Sequence, residues 1–163
     1  RRCDHEAAVK RSRGLSSVEF AIVGAAVFIF VFAIVDLGRL MYLRVALEEG
    51  VRRSARLSAV CPIGDAYARS AAIFSERNWG VRILPNITTA NVVIEFLNAN
   101  GEPIANPTNE ANYIQIRFVR VRIVNYTVPV LVPFLPIEYT PQDVSSTEPV
   151  ESLGVTATEV VPC

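Results

Sequence analysis

The first 60 residues of the chain contain two hydrophobic patterns that follow each other without a break. Residues 15–35 are apolar, glycine or serine at every position except Glu19. From residue 37 onward apolar residues recur every fourth position, as on one face of an amphipathic helix, at Leu43, Leu47, Val51 and Ala55. Cys61-Pro62 ends this pattern, because a residue before proline disfavours the helical conformation. We therefore expect one helix that is apolar over residues 15–36 and amphipathic over residues 37–61.

The remaining residues, 62–163, predict a small domain of mixed secondary structure. A second helix is expected over residues 65–79, closed by Asn78-Trp79-Gly80. Strands are expected where β-branched and aromatic residues cluster between turn signals, at residues 92–97, 113–128 and 153–161. A change of apolar parity at Phe118-Val119 predicts a bulge or strong twist in the longest strand. The fold class is therefore α+β, with the long helix packed on an antiparallel sheet of three or four strands.

The connections between these strands also carry information. Residues 98–101 predict a turn, residues 101–112 a polar loop and residues 142–151 a polar connection. Four prolines forbid a central strand across residues 129–141. The apolar residues within that loop either cover the core of the domain, which we favour, or form an exposed contact for another subunit.

The apolar run has the length of a membrane span. A secretory signal peptide is the main alternative, but the run is long for such a peptide and no small-x-small cleavage site follows it. Basic residues before the run favour an N-terminus kept in the cytoplasm, among them Lys10, Arg11 and Arg13. Arg39 and Arg44 after the run weaken that orientation signal. We expect a single-pass membrane anchor.

Composition argues against several functions. Sixteen basic residues balance 16 acidic ones, and nucleic-acid binding needs a basic surplus. His5 is the one histidine and precedes the apolar run, so the domain at 62–163 cannot hold a Ser-His-Asp or Cys-His catalytic set. Cys3 lies near His5, but zinc sites use about four ligands. The chain also lacks paired carboxylates and a glycine-rich phosphate loop. We expect neither an enzyme nor a cofactor.

The three cysteines are placed unequally. Cys3 would lie on the cytoplasmic side, where thiols stay reduced, whereas Cys61 and Cys163 would lie across the membrane. A bridge between Cys61 and Cys163 is therefore expected, with two unlinked thiols as the alternative.

Glu19 is the strongest candidate for a functional residue. A charge inside a membrane-spanning helix costs about 2.5–3.5 kcal/mol at the bilayer centre and less near its edge. A carboxylate that merely reaches the headgroup region is the alternative reading. If the chain were cut after Gly14, Glu19 would become the fifth residue and Phe20 the sixth.

This arrangement resembles the cleavage signature of type IV pilin-like proteins, and most closely the TadE-like minor pilins of tight-adherence, Flp-type pilus systems. The resemblance rests on Gly14, on the pair Glu19-Phe20, and on the stretches at 18–23, 34–39 and 50–56 (Val-Glu-Phe-Ala-Ile-Val, Ile-Val-Asp-Leu-Gly-Arg and Gly-Val-Arg-Arg-Ser-Ala-Arg). It covers about the first 60 residues.

The resemblance implies a structural function. A prepilin peptidase would cut between Gly14 and Leu15, and the new amine of Leu15 would pair with Glu19 of a neighbouring subunit. The other implied partners are further minor pilins, the major pilin, the inner-membrane assembly platform and the lipid bilayer. Residues 1–14 would be the leader, and residues 62–163 a periplasmic head that enters an extracellular pilus if the subunit is incorporated. The alternatives are a membrane-anchored periplasmic binding module that enters no filament, and a secreted enzyme with an unusual signal peptide.

Overall fold

The computed structural model describes residues 4–75, 84–131, 136–155 and 163, with side chains described from residue 16 onward. These residues form two compact units. The first comprises the chain up to Leu40 together with Pro129–Ile137, and the second comprises Met41–Val128 and Glu138–Cys163.

The first element, helix α1, runs from Asp4 to Val60 and contains 57 residues. The expectation of one unbroken helix that ends before Cys61-Pro62 is confirmed. The helix starts earlier than expected, since the segment before Gly14 is helical as well. In its second part the predicted apolar row is buried, at Leu43, Leu47, Val51 and Ala55.

Residues 151–154, far from α1 in the sequence, form hydrogen bonds with the last turn of this helix. The backbone N–H groups of Glu151 and Leu153 donate to the carbonyl of Ala59, at 3.1 and 3.4 Å, and Gly154 donates to Val60. These bonds occupy carbonyls that a helix terminus otherwise leaves unsatisfied. Gly154 is required here, because it has a positive φ of 73° and a Cβ would overlap the ring of Pro62.

Helix α2 spans Ala66–Ala72 and is shorter than the predicted 65–79. Asp65 caps it, with its carboxylate accepting a hydrogen bond of 2.8 Å from the N–H of Tyr67. The backbone turns out of the helix at Ile73, and Phe74 has a positive φ of 54°, which a continuing helix does not allow. The predicted closing residues 78–80 lie outside the described residues.

The first two strands belong to a three-stranded antiparallel sheet. Strand β1, Val92–Leu97, has the predicted bounds, and the turn after it, at residues 98–101, is confirmed. Strand β2, Phe118–Ile123, is much shorter than the predicted 113–128. Asn109 caps a short helix, α3 (Glu110–Tyr113), which contains the expected start of the strand. The predicted bulge is wrong, because the parity change marks the beginning of β2 and not an irregularity within it.

Strand β5, Ser145–Pro149, lies within the segment predicted to be a polar connection. It pairs with β2 at the edge of the sheet, where one side of the strand stays in water and polar residues are tolerated. Of the predicted strand at 153–161, Leu153 and Gly154 form a turn, and residues 156–162 lie outside the described residues.

Two further strands, β3 (Val128–Pro129) and β4 (Glu138–Tyr139), have two residues each and pair with each other. No longer strand occurs among the described residues of 129–141, as the prolines predicted. The long apolar helix and the small antiparallel sheet make the fold α+β, as expected, and are consistent with a pilin-like arrangement.

Candidate functional site

The apolar part of α1 exposes almost all of its side chains. Phe20 is 80% exposed, and the described residues 16–35 include further exposed aromatic residues at Phe28, Phe30 and Phe32. One helix in the described part of the chain, within Ser16–Val60, is long and apolar enough to cross a membrane. An apolar surface of this size needs lipid or other helices to cover it.

Glu19 lies within this exposed surface, between Val18 and Phe20. Within the described residues it forms neither a hydrogen bond nor an ion pair, so its carboxylate is available to a group outside the chain. The backbone of Gly14 and Leu15 is helical. The structure therefore places the proposed cleavage site and Glu19 on one continuous helix.

A second carboxylate, Asp36, was missed by the sequence analysis. It ends the apolar run, yet its side chain is only 3% exposed. One carboxylate oxygen accepts a hydrogen bond of 3.2 Å from Arg39 Nη1, one helical turn further on. The other oxygen accepts a hydrogen bond of 3.1 Å from the backbone N–H of Leu131. The charge of Asp36 is thus compensated by a cation and an amide donor.

Arg39 forms a hydrogen bond with a second residue of the proline-rich loop at 129–141. Its Nη1 atom donates to the carbonyl of Pro129 at 2.9 Å. The N–H of Val130 donates in turn to the carbonyl of Ile137, also at 2.9 Å. Pro129 and Leu131, in the described part of the proline-rich loop, are therefore each hydrogen-bonded to an ionic side chain of α1. An acid and an arginine three positions apart are visible in the sequence, but nothing in it indicates that their common partner lies about 90 residues away.

Further along α1, Arg44 pairs with Glu48 through a hydrogen bond of 3.1 Å. This hydrogen bond, followed by the negative charge of Glu48 and by Tyr139, raises the pKa of the Arg44 guanidinium. Both side chains are exposed, so the pair contributes little to stability. This exposed pair contrasts with the pair of Asp36 and Arg39, in which the carboxylate is buried.

A disulfide joins Cys61, directly after α1, to Cys163, with 5.7 Å between their Cα atoms. Cys61 is buried, and the N–H of Cys163 donates to the carboxylate of Asp65 at 3.3 Å. Cys3 and the side chain of His5 lie outside the described residues. Within the described part of the chain no three His, Cys, Asp or Glu residues are grouped so as to hold a metal ion.

Comparison with known protein families gives a match. The model of a family described as TadE-like protein matches residues 14–56, which include Gly14, Glu19 and Asp36. The matched stretch is about a quarter of the chain and ends shortly before the end of α1. Neither a curated protein nor a solved structure matches the chain.

Proposed function

We propose that this chain, a TadE-like protein by its match over residues 14–56, is a minor pilin or pseudopilin that takes part in the initiation or assembly of a Tad/Flp-type pilus. The observation that carries the proposal is an exposed apolar helix whose described residues 16–35 include one carboxylate, Glu19, without a partner in the described part of the chain. A helix of this kind needs both an apolar environment and a cationic partner. Packing with the helices of other pilins in a bilayer or filament supplies both.

Processing would create the cationic partner. Hydrolysis of the Gly14–Leu15 peptide bond leaves a carboxylate on Gly14 and an amine on Leu15, which is protonated near neutral pH. Gly14 is a poor helix former, which lowers the cost of opening the helix at the cleavage site by about 1 kcal/mol relative to alanine. It also lets a peptidase approach the backbone closely.

The free amine of Leu15 and Glu19 of an adjacent subunit would set the axial register. An unpaired charge in an apolar environment is strongly disfavoured, so a subunit docked in the wrong register would leave both groups without a partner. The pair therefore contributes mainly to the specificity with which subunits dock. In this proposal residues 1–14 are the leader, residues 15–36 span the membrane, residues 37–61 continue the helix and residues 62–163 form the head.

The disulfide supports the proposed orientation. Bonds of this kind persist in oxidising compartments such as the bacterial periplasm. A periplasmic head with Cys61–Cys163 and a cytoplasmic leader rich in arginine fit a single-pass inner-membrane protein. The proposed partners are the prepilin peptidase, other minor pilins, the major pilin and the assembly platform.

The proposal is tested in the native host with three variants of the full chain. Mass spectrometry of the protein from native membranes should give Leu15 as the first residue, and Gly14→Leu should block this cleavage. Glu19→Ala should still be cut after Gly14 but should lose pilus formation. Glu48→Ala, which removes an exposed carboxylate from the same helix, should leave both unchanged.

Two results would contradict the proposal. An intact Gly14–Leu15 bond in the native protein would favour a membrane-anchored binding module outside any filament. Normal pili with Glu19→Ala would show that this carboxylate has no role in assembly.

A further inference from the structure

The position of Asp36 along α1 fixes its depth in a membrane, and the inference that follows rests on the proposed span. The run from residue 15 to 35 extends about 31 Å at 1.5 Å per residue, close to the roughly 30 Å of a hydrocarbon core. Asp36 is the next residue, so it lies at the outer boundary of the core. Arg39, one turn further, lies among the lipid headgroups.

Asp36 and Arg39 bring part of the proline-rich loop to the same depth. The N–H of Leu131 is 3.1 Å from the Asp36 carboxylate, and the carbonyl of Pro129 is 2.9 Å from Arg39. Hydrogen bonds this short leave no room for a layer of lipid or water between the helix and the loop. The loop backbone at these two residues must therefore lie at the membrane boundary.

The loop is also chemically suited to that boundary. Leu131 is 58% exposed and Ile137 is 51% exposed, although both are large and apolar. Among the described residues next to them, Pro129 has no N–H, and the N–H groups of Val130 and Leu131 are both bonded within the chain. A backbone with its donors satisfied can enter a region of low polarity without a large penalty.

We propose that Leu131 and Ile137 form a second membrane contact, inserted at the boundary between lipid headgroups and acyl chains and held there by Asp36 and Arg39. The partner is the bilayer surface rather than another protein. Leu131 and Ile137 lie beside the end of the exposed apolar span, near Asp36. Val35 and Leu37, the neighbours of Asp36 in the sequence, are also exposed, so the lipid that covers the span extends to this depth. Asp36 is then a positioning residue that couples the loop to the membrane anchor.

The experiment uses the full chain in vesicles of phosphatidylethanolamine and phosphatidylglycerol, with Trp79→Phe to remove the natural tryptophan. A single tryptophan is then introduced by Leu131→Trp, by Ile137→Trp, by Phe28→Trp in the span or by Ile114→Trp, an exposed residue (67%) of the second unit. Tryptophan at Leu131 and Ile137 should emit at shorter wavelength than at Ile114, and lipids brominated near the headgroup should quench it more strongly. Lipids brominated deep in the acyl chains should quench Phe28→Trp preferentially.

The hydrogen bond that the Asp36 carboxylate accepts from the N–H of Leu131 is tested in the same assay. Asp36→Ala should reduce quenching at position 131 toward the value at position 114, whereas Asp36→Asn, which keeps an acceptor oxygen, should retain most of it. On the chain without any substitution, a spin-labelled lipid should broaden the amide resonances of Val130 and Leu131 more than that of Ile114. This measurement is independent of whether a tryptophan variant folds.

The outcomes separate this inference from the proposed function. If Phe28→Trp is not quenched, the premise of a membrane span fails. If Phe28→Trp is quenched but Leu131→Trp behaves like Ile114→Trp, the span stands and the loop contact is wrong. A spectral shift at Leu131 that grows with the ratio of protein to lipid, without quenching, would identify a second protein copy as the partner and would also overturn the inference.

Discussion

Gly50 lies where α1 packs tightly against the end of α2, and adding a single methyl group there should destabilise the second unit. A Cβ at Gly50 would overlap the carbonyl oxygen of Ala72, lie 3.2 Å from its carbonyl carbon and lie 3.5 Å from the ring of Phe74. The obstacle is mainly backbone, so changing a side-chain rotamer cannot relieve it. Either α2 or α1 must move.

The expected magnitude follows from two opposing terms. Overpacking a buried contact costs about 1–3 kcal/mol, and the upper end applies where backbone must shift. Replacing glycine by alanine within a helix stabilises the helix by about 1 kcal/mol. The net loss for Gly50→Ala is then about 2 kcal/mol, which for a domain near 100 residues lowers Tm by about 8–16 °C.

Gly38→Ala is the matched control, because it adds the same methyl group to the same helix and no atom lies within 4 Å of the new carbon. Calorimetric unfolding of the full chain in detergent micelles should show a lower Tm for Gly50→Ala and an unchanged or higher Tm for Gly38→Ala. Adding Phe74→Ala to Gly50→Ala should not restore stability. If Gly50→Ala unfolds at or above the Tm of the unmodified chain, α1 and α2 are not packed as closely as described.

Two further predictions concern the same unit. Replacing both Cys61 and Cys163 by serine should lower the free energy of unfolding by about 2–5 kcal/mol, since the bridge closes a loop of 102 residues; a chemical-denaturation midpoint that does not move would contradict this. Ser54→Ala should lower the free energy of unfolding by about 1–3 kcal/mol, because the buried Ser54 hydroxyl donates to the carbonyl of Ala68 at 2.6 Å. Ser58→Ala should be neutral or stabilising, since the buried Ser58 hydroxyl has no partner in the described part of the chain. Equal losses for the two serine variants in the same denaturation assay would refute the distinction.

The elements that the sequence predicted well depend on local pattern. The end of α1 follows from Cys61-Pro62, and its buried face from the spacing of apolar residues. Strand β1 has the predicted bounds because branched and aromatic residues fill it and a turn signal follows directly. In each case the information lies within a few residues of the element.

The elements that were wrong or missed depend on distant partners. Strand β5 is polar, and only its pairing with β2 makes it a strand. The start of the predicted strand at 113–128 is a helical turn, because Asn109 caps it and the apolar residues there do not all face the core. Asp36 was not singled out, since its burial depends on an amide donor from a loop about 90 residues further on.

The bonds from Glu151, Leu153 and Gly154 to the end of α1 have a consequence for the order of biogenesis. The ribosome releases the helix long before it makes these three residues, so the carbonyls of Ala59 and Val60 must be hydrogen-bonded by water while the intervening chain is synthesised. Formation of these bonds therefore reports that the chain as far as Gly154 has been made and has folded. A truncated or stalled chain would keep a frayed helix end that proteases can recognise.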